Sequence, residues 1–274
     1  MILAIYSTFS ATYIAAFGFP TKKSSVVLNN LVEVVFWIEI LLNFFQWYKD
    51  EVEYKPVKDV RKIAYRYLRT NFIIDLLATI PFRYMHLTKN PMYLDLFQLL
   101  KLLRLKKLVA HLSYRALQEV IKGIFQHRIQ KMVENPSKAK NESQSVDNNK
   151  IMLQIKIMYM FRVVSLLLAL LSLSYFVGTL FFIVSKYTTH SIDDYTFYNQ
   201  YGMYDLGDID NLIRVVYFSF TTLSTIGLGD YNPKSEIERI ITIFILLFGV
   251  VCFSYIMNQF LAILVEFRKV TEEN

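Results

Sequence analysis

Apolar residues along this chain gather into blocks about as long as a bilayer is thick. A hydrocarbon core of about 30 Å needs roughly 20 mostly apolar residues in α-helix. Residues 1–19, MILAIYSTFSATYIAAFGF, approach that length, and with no basic stretch before them they read as a span rather than a signal peptide. Further blocks run from Val26 to Trp47, from Asn71 to about Leu87 with Pro81 inside, and from about Pro91 to Ala110. Two more run from Ile151 to Ser185 and from about Ile237 to Val265. Leu212 to Leu223 is apolar but too short to cross, so it predicts a re-entrant helix. The pattern predicts an all-α membrane protein with six transmembrane helices. No internal repeat is visible, which counts against a transporter built from inverted halves.

The polar stretches set the orientation. Segment 49–69 carries Lys49, Lys55, Lys58, Arg61, Lys62, Arg66 and Arg69, and the connector after the fourth block is also basic, from Arg115 to Lys150. Basic loops stay cytoplasmic. Loop 186–213 holds one Lys and five Asp and is expected outside. Both termini then lie in the cytoplasm. Residues 112–133 are amphipathic and fit the inner membrane surface. Glu134 to Lys150, ENPSKAKNESQSVDNNK, reads as a flexible loop.

Composition narrows the classes. Of 274 residues, 54% are hydrophobic and 19% charged, which excludes disorder for most of the chain. A single cysteine, Cys252, excludes an internal disulfide framework. The net charge of +7 permits nucleic acid as a partner, but the basic residues sit beside apolar blocks, so it reads as a topological label. His86, His111, His127 and His190 are scattered without ligand spacing, and no nucleophile motif appears, so an enzyme is not expected.

After the short apolar segment comes Thr225-Ile226-Gly227-Leu228-Gly229-Asp230. It resembles the selectivity filter of potassium channels, usually Thr-Val-Gly-Tyr-Gly-Asp. A potassium ion entering a pore loses water, and oxygen dipoles must replace it. The resemblance implies a ladder of carbonyls from Thr225, Ile226, Gly227 and Leu228, with the Thr225 hydroxyl below. Glycine at alternate positions permits backbone angles that L-residues resist. One chain supplies a quarter of each ring, so three further subunits are expected, in a homo- or heterotetramer. Potassium is the permeant ion, and no cofactor is expected. The preceding helix, about Asn211 to Leu223, aims its partially negative C-terminus at the ion path. Asp230 stands at the outer mouth. Leu228 replaces the usual aromatic brace, and Tyr217 and Phe218 are candidates to fill that space. The alternative is a chance Gly-x-Gly turn.

The fourth block carries Lys101, Arg104 and Lys107 at every third position. That step draws a steep stripe on an α-helix or a straight row on a 3₁₀-helix. Charges in hydrocarbon are costly and usually functional. The alternative is a basic helix on the cytoplasmic surface. Flanking leucines leave no wholly polar face, and acids Glu33, Glu39 and Asp75 within other blocks supply partners. Gln98 and Asp95 continue the row without positive charge.

Phe36-Trp37-Ile38-Glu39 with Leu42-Asn43-Phe44, and Arg66 through Phe82, resemble the second and third spans of channels related to the cyclic-nucleotide-gated, hyperpolarisation-activated and ether-à-go-go types. Potassium-selective members, including those abundant in ciliates, are the most similar. The resemblance implies that Phe36, Glu39 and Asp75 form the site that basic residues pass, and that the product sits in a plasma or ciliary membrane. Gly249, 20 residues after Gly229, resembles the family's gating hinge, with close helix packing as the alternative. The expected organisation is a sensor-like domain at 1–110, a cytoplasmic helix and connector at 111–150, a pore domain at 151–265 and the start of a tail at 266–274. Related channels continue into a cyclic-nucleotide-binding domain; none follows here, and the ends read as truncated, so nucleotide control is left open. The leading expectation is a voltage-modulated potassium channel subunit. A weakly selective cation channel and a non-conducting membrane-complex subunit are the alternatives.

Overall fold

A computed structural model of the chain describes residues 2–20, 22–49, 56–81, 95–104, 144–191 and 193–272. The chain divides into two compact units, Met1–Ala116 and Leu117–Asn274.

The first unit holds α1 (Ile2–Phe17), α2 (Lys23–Asn43), α3 (Val60–Thr70), α4 (Phe72–Thr79) and a 3₁₀ helix at Phe97–Arg104. A two-residue antiparallel ladder, β1 (Tyr48–Lys49) with β2 (Pro56–Val57), departs from the all-α expectation. It is too short to alter the architecture. Helix α1 buries a stripe of small residues: Ala4, Ser7, Thr8, Ala11, Thr12, Ala15 and Ala16. Small side chains let helices approach closely in lipid, where apolar burial alone gives little drive. That stripe packs on the 3₁₀ helix. Helix α3 is capped by Asp59, whose carboxylate accepts the Arg61 N–H at 3.0 Å. Helix α4 ends at Thr79, earlier than its apolar block. Ile80 precedes Pro81 and adopts ψ 125°, because the proline ring disfavours helical angles on its neighbour.

The second unit holds α5 (Gln144–Thr188), α6 (Phe197–Gln200), α7 (Asp208–Leu223) and α8 (Glu236–Glu272). Helix α5 starts at Gln144, so the last seven residues of the expected loop are helical. Once a long helix exists, adding residues costs little even when they are polar. Helix α8 runs seven residues past the expected Val265. Helix α7 packs against both α5 and α8, around a core of Phe181, Phe197, Val215, Phe218 and Leu223.

Among the described residues, three helical stretches are long and apolar enough to cross a membrane: Lys23–Asn43, Tyr159–Thr188 and Glu236–Val265. They correspond to the second, fifth and sixth expected spans. Ile2–Phe17 is apolar but 16 residues long. Parts of the third and fourth expected spans, and residues 105–143 of the connector, lie outside the described residues.

Candidate functional site

In the second unit, α7 supplies a rigid base for the glycine-rich segment. It begins with Asp208 and Asp210 in its first turn, where acids complement the helix dipole, and ends at Leu223. The chain then folds back over the helix end. The Ser224 N–H donates to Phe220 O at 2.9 Å, and the Ile226 and Gly227 N–H groups both donate to Thr221 O at 3.0 Å. Beyond this point the backbone alternates. Thr225 has φ 60°, Gly227 φ 57° and Gly229 φ 80°, whereas Ile226 and Leu228 keep negative φ. Positive φ thus recurs at every second position of this segment. A Cβ at Gly227 or Gly229 would meet nothing within 4 Å, so glycine is required there by φ and not by space. The side chains of Ile226 and Leu228 are exposed in the single chain.

The outer flank of this segment is fastened at two points. Tyr201, just after α6, accepts the Asn232 N–H at 3.0 Å and donates to Asp230 O at 3.1 Å. The Asn232 amide donates to Gly229 O at 3.1 Å. The Tyr201 ring sits 4.7 Å from those of Phe197 and Tyr231, and Tyr231 is 5.9 Å from Tyr217. Tyr217 also interacts through its hydroxyl with the Asp230 side chain. The second fastening is Glu238, fully buried in the first turn of α8. Its carboxylate accepts the N–H groups of Phe197 at 2.8 Å, Lys234 at 2.8 Å and Ser235 at 3.0 Å, and the Ser185 hydroxyl. Ser235 in turn accepts the Glu238 N–H at 3.3 Å, completing a reciprocal capping box. One carboxylate thereby joins α5, α6 and α8. Sequence reasoning missed it, although Ser-x-x-Glu before an apolar run carries the signal.

The expectation for the space beside Leu228 needs revision. Phe218 is buried against Phe181 at 4.7 Å and Phe197 at 5.4 Å, so it belongs to the core behind α7. The ring that meets Tyr217 is Tyr231, past the glycines.

Two glycines allow close helix contact. A Cβ on Gly178 of α5 would lie 2.6 Å from Val215 O on α7. The Ser219 hydroxyl beside it donates to Ser174 O. A Cβ on Gly249 of α8 would lie 3.1 Å from Leu223 Cα. Gly249 therefore occupies a packing position under the end of α7, within an unbroken helix.

In the first unit the charged row is laid out by the 3₁₀ helix. Three residues per turn place Gln98, Lys101 and Arg104 on one line, and all three are buried. Lys101 pairs with Glu33 of α2. Arg104 stacks 3.7 Å over the Phe36 ring, donates to Ala78 O at 2.7 Å and Thr79 Oγ1 at 3.3 Å, and reaches the Ser7 hydroxyl. Lys107, the third member, lies outside the described residues. Asp75 accepts the Tyr67 hydroxyl at 2.9 Å. Glu39 and Asp75 border a cavity of about 480 Å³ shared with Asn43, Tyr67 and Leu103.

Two stretches of this chain match families of ion conductors. Residues 1–130 match the family described as ion transport protein, and residues 193–266 match the family described as ion channel. The glycine-rich segment falls in the second match and the charged row in the first. Both matched families are described as ion conductors, which points away from an enzyme. More particularly, the chain is similar to plant potassium channels. It is 24% identical to potassium channel AKT1 of Arabidopsis thaliana over 94% of its length and 26% of the relative's. It is 27% identical to potassium channel AKT2 of Oryza sativa subsp. japonica over its whole length and 28% of the relative's. It is 26% identical to potassium channel KAT1 of Arabidopsis thaliana over 94% of its length and 34% of the relative's. The chain thus spans about a quarter to a third of the relatives it matches.

Proposed function

We propose that this chain is one of four subunits of a potassium-selective channel whose opening is biased by voltage. The observation that carries the reading is the alternation of positive φ at Thr225, Gly227 and Gly229, placed at the C-terminal end of a short, buried helix. Carbonyls of Thr225 to Leu228 then face a common axis, and four copies close rings that replace the hydration shell of potassium. The C-terminus of α7 adds a partial negative charge behind them. The exposed apolar face of α8, with Ile240, Phe244, Leu247 and Val251, fits contact with lipid or neighbouring subunits.

Voltage acts on Lys101 and Arg104. Moving one charge through 100 mV is worth about 2.3 kcal/mol, so two charges in each of four subunits supply roughly 18 kcal/mol. Glu33, Phe36, Glu39 and Asp75 form the path, with Lys107 next in the three-residue step. The cavity beside Glu39 and Asp75 admits water and shortens the distance over which the field falls. Placement among the cyclic-nucleotide-gated, hyperpolarisation-activated and ether-à-go-go types rests on the motifs of the second and third spans. Both termini are cytoplasmic in this reading, and a plasma or ciliary membrane is the site of action. Gly249 as a hinge is the weaker assignment, since its close approach to Leu223 already explains a glycine.

A weakly selective cation channel is the second reading, favoured by one observation: Leu228, 63% exposed, stands where an aromatic brace is usual. Current from the purified chain in bilayers decides. Reversal potentials near the potassium equilibrium value, with barium block, support the first reading. Equal potassium and sodium permeability supports the second. Absence of current with absence of four-fold assembly refutes both.

A further inference from the structure

Glu238 is fully buried, and among the described residues every group that meets its carboxylate is a neutral donor. Oε1 accepts the Ser185 hydroxyl and the Phe197 N–H, the latter at 2.8 Å. Oε2 accepts the N–H groups of Lys234 at 2.8 Å and Ser235 at 3.0 Å. Burying a charge is costly, and even a well-paired buried ion adds little net stability. What such a carboxylate supplies is geometry, because a donor that leaves exposes a buried charge to apolar surroundings. The donors come from the end of α5, the start of α6 and the turn before α8. Two of these stretches lead to the glycine-rich segment. From Phe197 the route passes to the Tyr201 ring, 4.7 Å away, and the Tyr201 hydroxyl donates to Asp230 O at 3.1 Å. From Lys234 it passes through Pro233, whose ring fixes φ, to Asn232, whose amide donates to Gly229 O at 3.1 Å. The routes meet, because the Tyr201 hydroxyl also accepts the Asn232 N–H at 3.0 Å and the Lys234 ammonium lies 5.3 Å over the Tyr201 ring. The Ser185 hydroxyl accepts the Tyr198 N–H at 2.9 Å, which holds α6 at its second residue as well. Glu238 thus closes a circuit around the outer end of the segment.

We propose that Glu238 is a positioning residue for ion conduction. It acts through Tyr201 and Asn232: by holding both supports it fixes the Gly229 and Asp230 carbonyls, and so governs how long the outer end of the filter keeps its shape when few ions occupy it. A bound ion stabilises the site that binds it by mass action. At low potassium that contribution falls away, and the circuit is the restraint that remains. The link to conduction rests on the channel reading above, but the positioning of Gly229 to Asn232 does not. Glutamine cannot take the place of Glu238. It carries one accepting oxygen and one donating amide. Its NH₂ would face either the Phe197 N–H or the N–H groups of Lys234 and Ser235, so one side of the circuit opens at unchanged size.

The test compares the native full chain with E238Q, S185A and E236Q, in nanodiscs and in planar bilayers. E236Q makes the same chemical change at an exposed acid of the same helix turn. Hydrogen–deuterium exchange in nanodiscs reads the circuit without any current. In E238Q the Asn232 amide, which is bonded to Tyr201 and not to Glu238, is expected to exchange about five- to thirtyfold faster. S185A removes one donor and is expected to show a smaller change of the same kind; it decides the matter if E238Q fails to assemble. E236Q is expected to match the native chain. Native exchange at Asn232 in E238Q and S185A overturns the assignment, as does equal acceleration in E236Q. Potassium current in bilayers reads the consequence. Decay during sustained opening is expected to be about fivefold or more faster in E238Q, and to return toward the native rate as external potassium rises. Unchanged decay, or faster decay indifferent to external potassium, reduces Glu238 to a structural role and overturns the proposal. A native chain that passes no potassium current refutes the channel reading instead, and exchange at Asn232 still decides the positioning.

Discussion

Replacing Gly178 by alanine tests the contact on which the filter depends. The new Cβ would stand 2.6 Å from Val215 O, 2.9 Å from Val215 C and 3.0 Å from Ser219 Oγ. Even close carbon–oxygen contacts between packed helices are about 3.3 Å or more. The first two obstacles are backbone atoms of α7, so no side chain can rotate away, and α5 and α7 must separate by several tenths of an ångström. Such overpacking costs about 1–3 kcal/mol. Against it, alanine in a helix gains about 1 kcal/mol over glycine. The third obstacle, Ser219, loses its bond to Ser174 O as the helices part, which adds about 1 kcal/mol to the cost. The clash prevails, and Gly178→Ala is expected to destabilise each subunit by about 1–3 kcal/mol. Because α7 carries Thr225 to Gly229, the shift is expected to lower potassium over sodium permeability as well. Thermal dissociation of the purified protein and reversal potentials measure the two effects. A variant as stable as the native chain, with unchanged permeability, would refute the close approach of α5 to α7.

Three further perturbations address other parts. Tyr201→Phe keeps the ring but removes the hydroxyl that joins Asp230 O to Asn232 N; potassium current is expected to decay faster during sustained opening and to be rescued by raised external potassium, and unchanged decay counts against the outer fastening. Gly249→Ala brings a Cβ to 3.1 Å from Leu223 Cα, so lower stability and altered permeability are expected; a pure shift of gating voltage at unchanged stability would instead establish the hinge. Asp194 accepts the N–H groups of His190 at 2.6 Å and Ser191 at 2.8 Å, and these bonds hold its carboxyl below the usual range. A depressed acid contributes order above its unfolded value, about 3.9, and loses it as pH falls through the folded value. Amide protection at His190 and Ser191 should therefore drop below about pH 4 in the native chain, and Asp194→Asn should remove that dependence.

What could be read from residues alone was whatever depends on local pattern. Apolar length located α2, α5 and α8, and the short block ending at Leu223 located α7 to within a turn. The Gly-x-Gly spacing located the strand where φ alternates, because only backbone geometry is at stake there. Thr225 was less legible, since a β-branched residue with positive φ is held by the Ile226 and Gly227 bonds to Thr221 and not by its own preference. Contacts between distant segments were hidden. Glu238 looked like one acid at a helix start, and nothing in its neighbourhood names Ser185 or Phe197 as partners. Phe218 lies in the core rather than beside Leu228 for the same reason, and the Tyr231 ring that meets Tyr217 carried no local signal of that contact.

The three-residue spacing of Gln98, Lys101 and Arg104 was compatible with two helices, and the difference matters for how charge moves. On an α-helix a three-residue step rises about 4.5 Å and turns about 60° from its starting direction, so successive charges reach a fixed acid only if the helix rotates. On a 3₁₀ helix the same step rises about 6 Å and returns to the same face. The partners on α2 repeat that logic, since Glu33 and Phe36 lie three residues apart and meet Lys101 and Arg104 respectively. A shift of one step would bring Lys101 to the ring that Arg104 now covers, with no rotation and no change of helix face. Gln98 would then stand opposite Glu33, replacing an ion pair by a neutral contact. In that direction the row therefore has a definite limit: one step keeps a cation on Phe36, and a second step presents only Gln98 to the ring. If the proposed sensing role holds, charge moved in this direction is bounded by the row, and a steeper voltage dependence for such steps would require cations at Gln98 or Asp95.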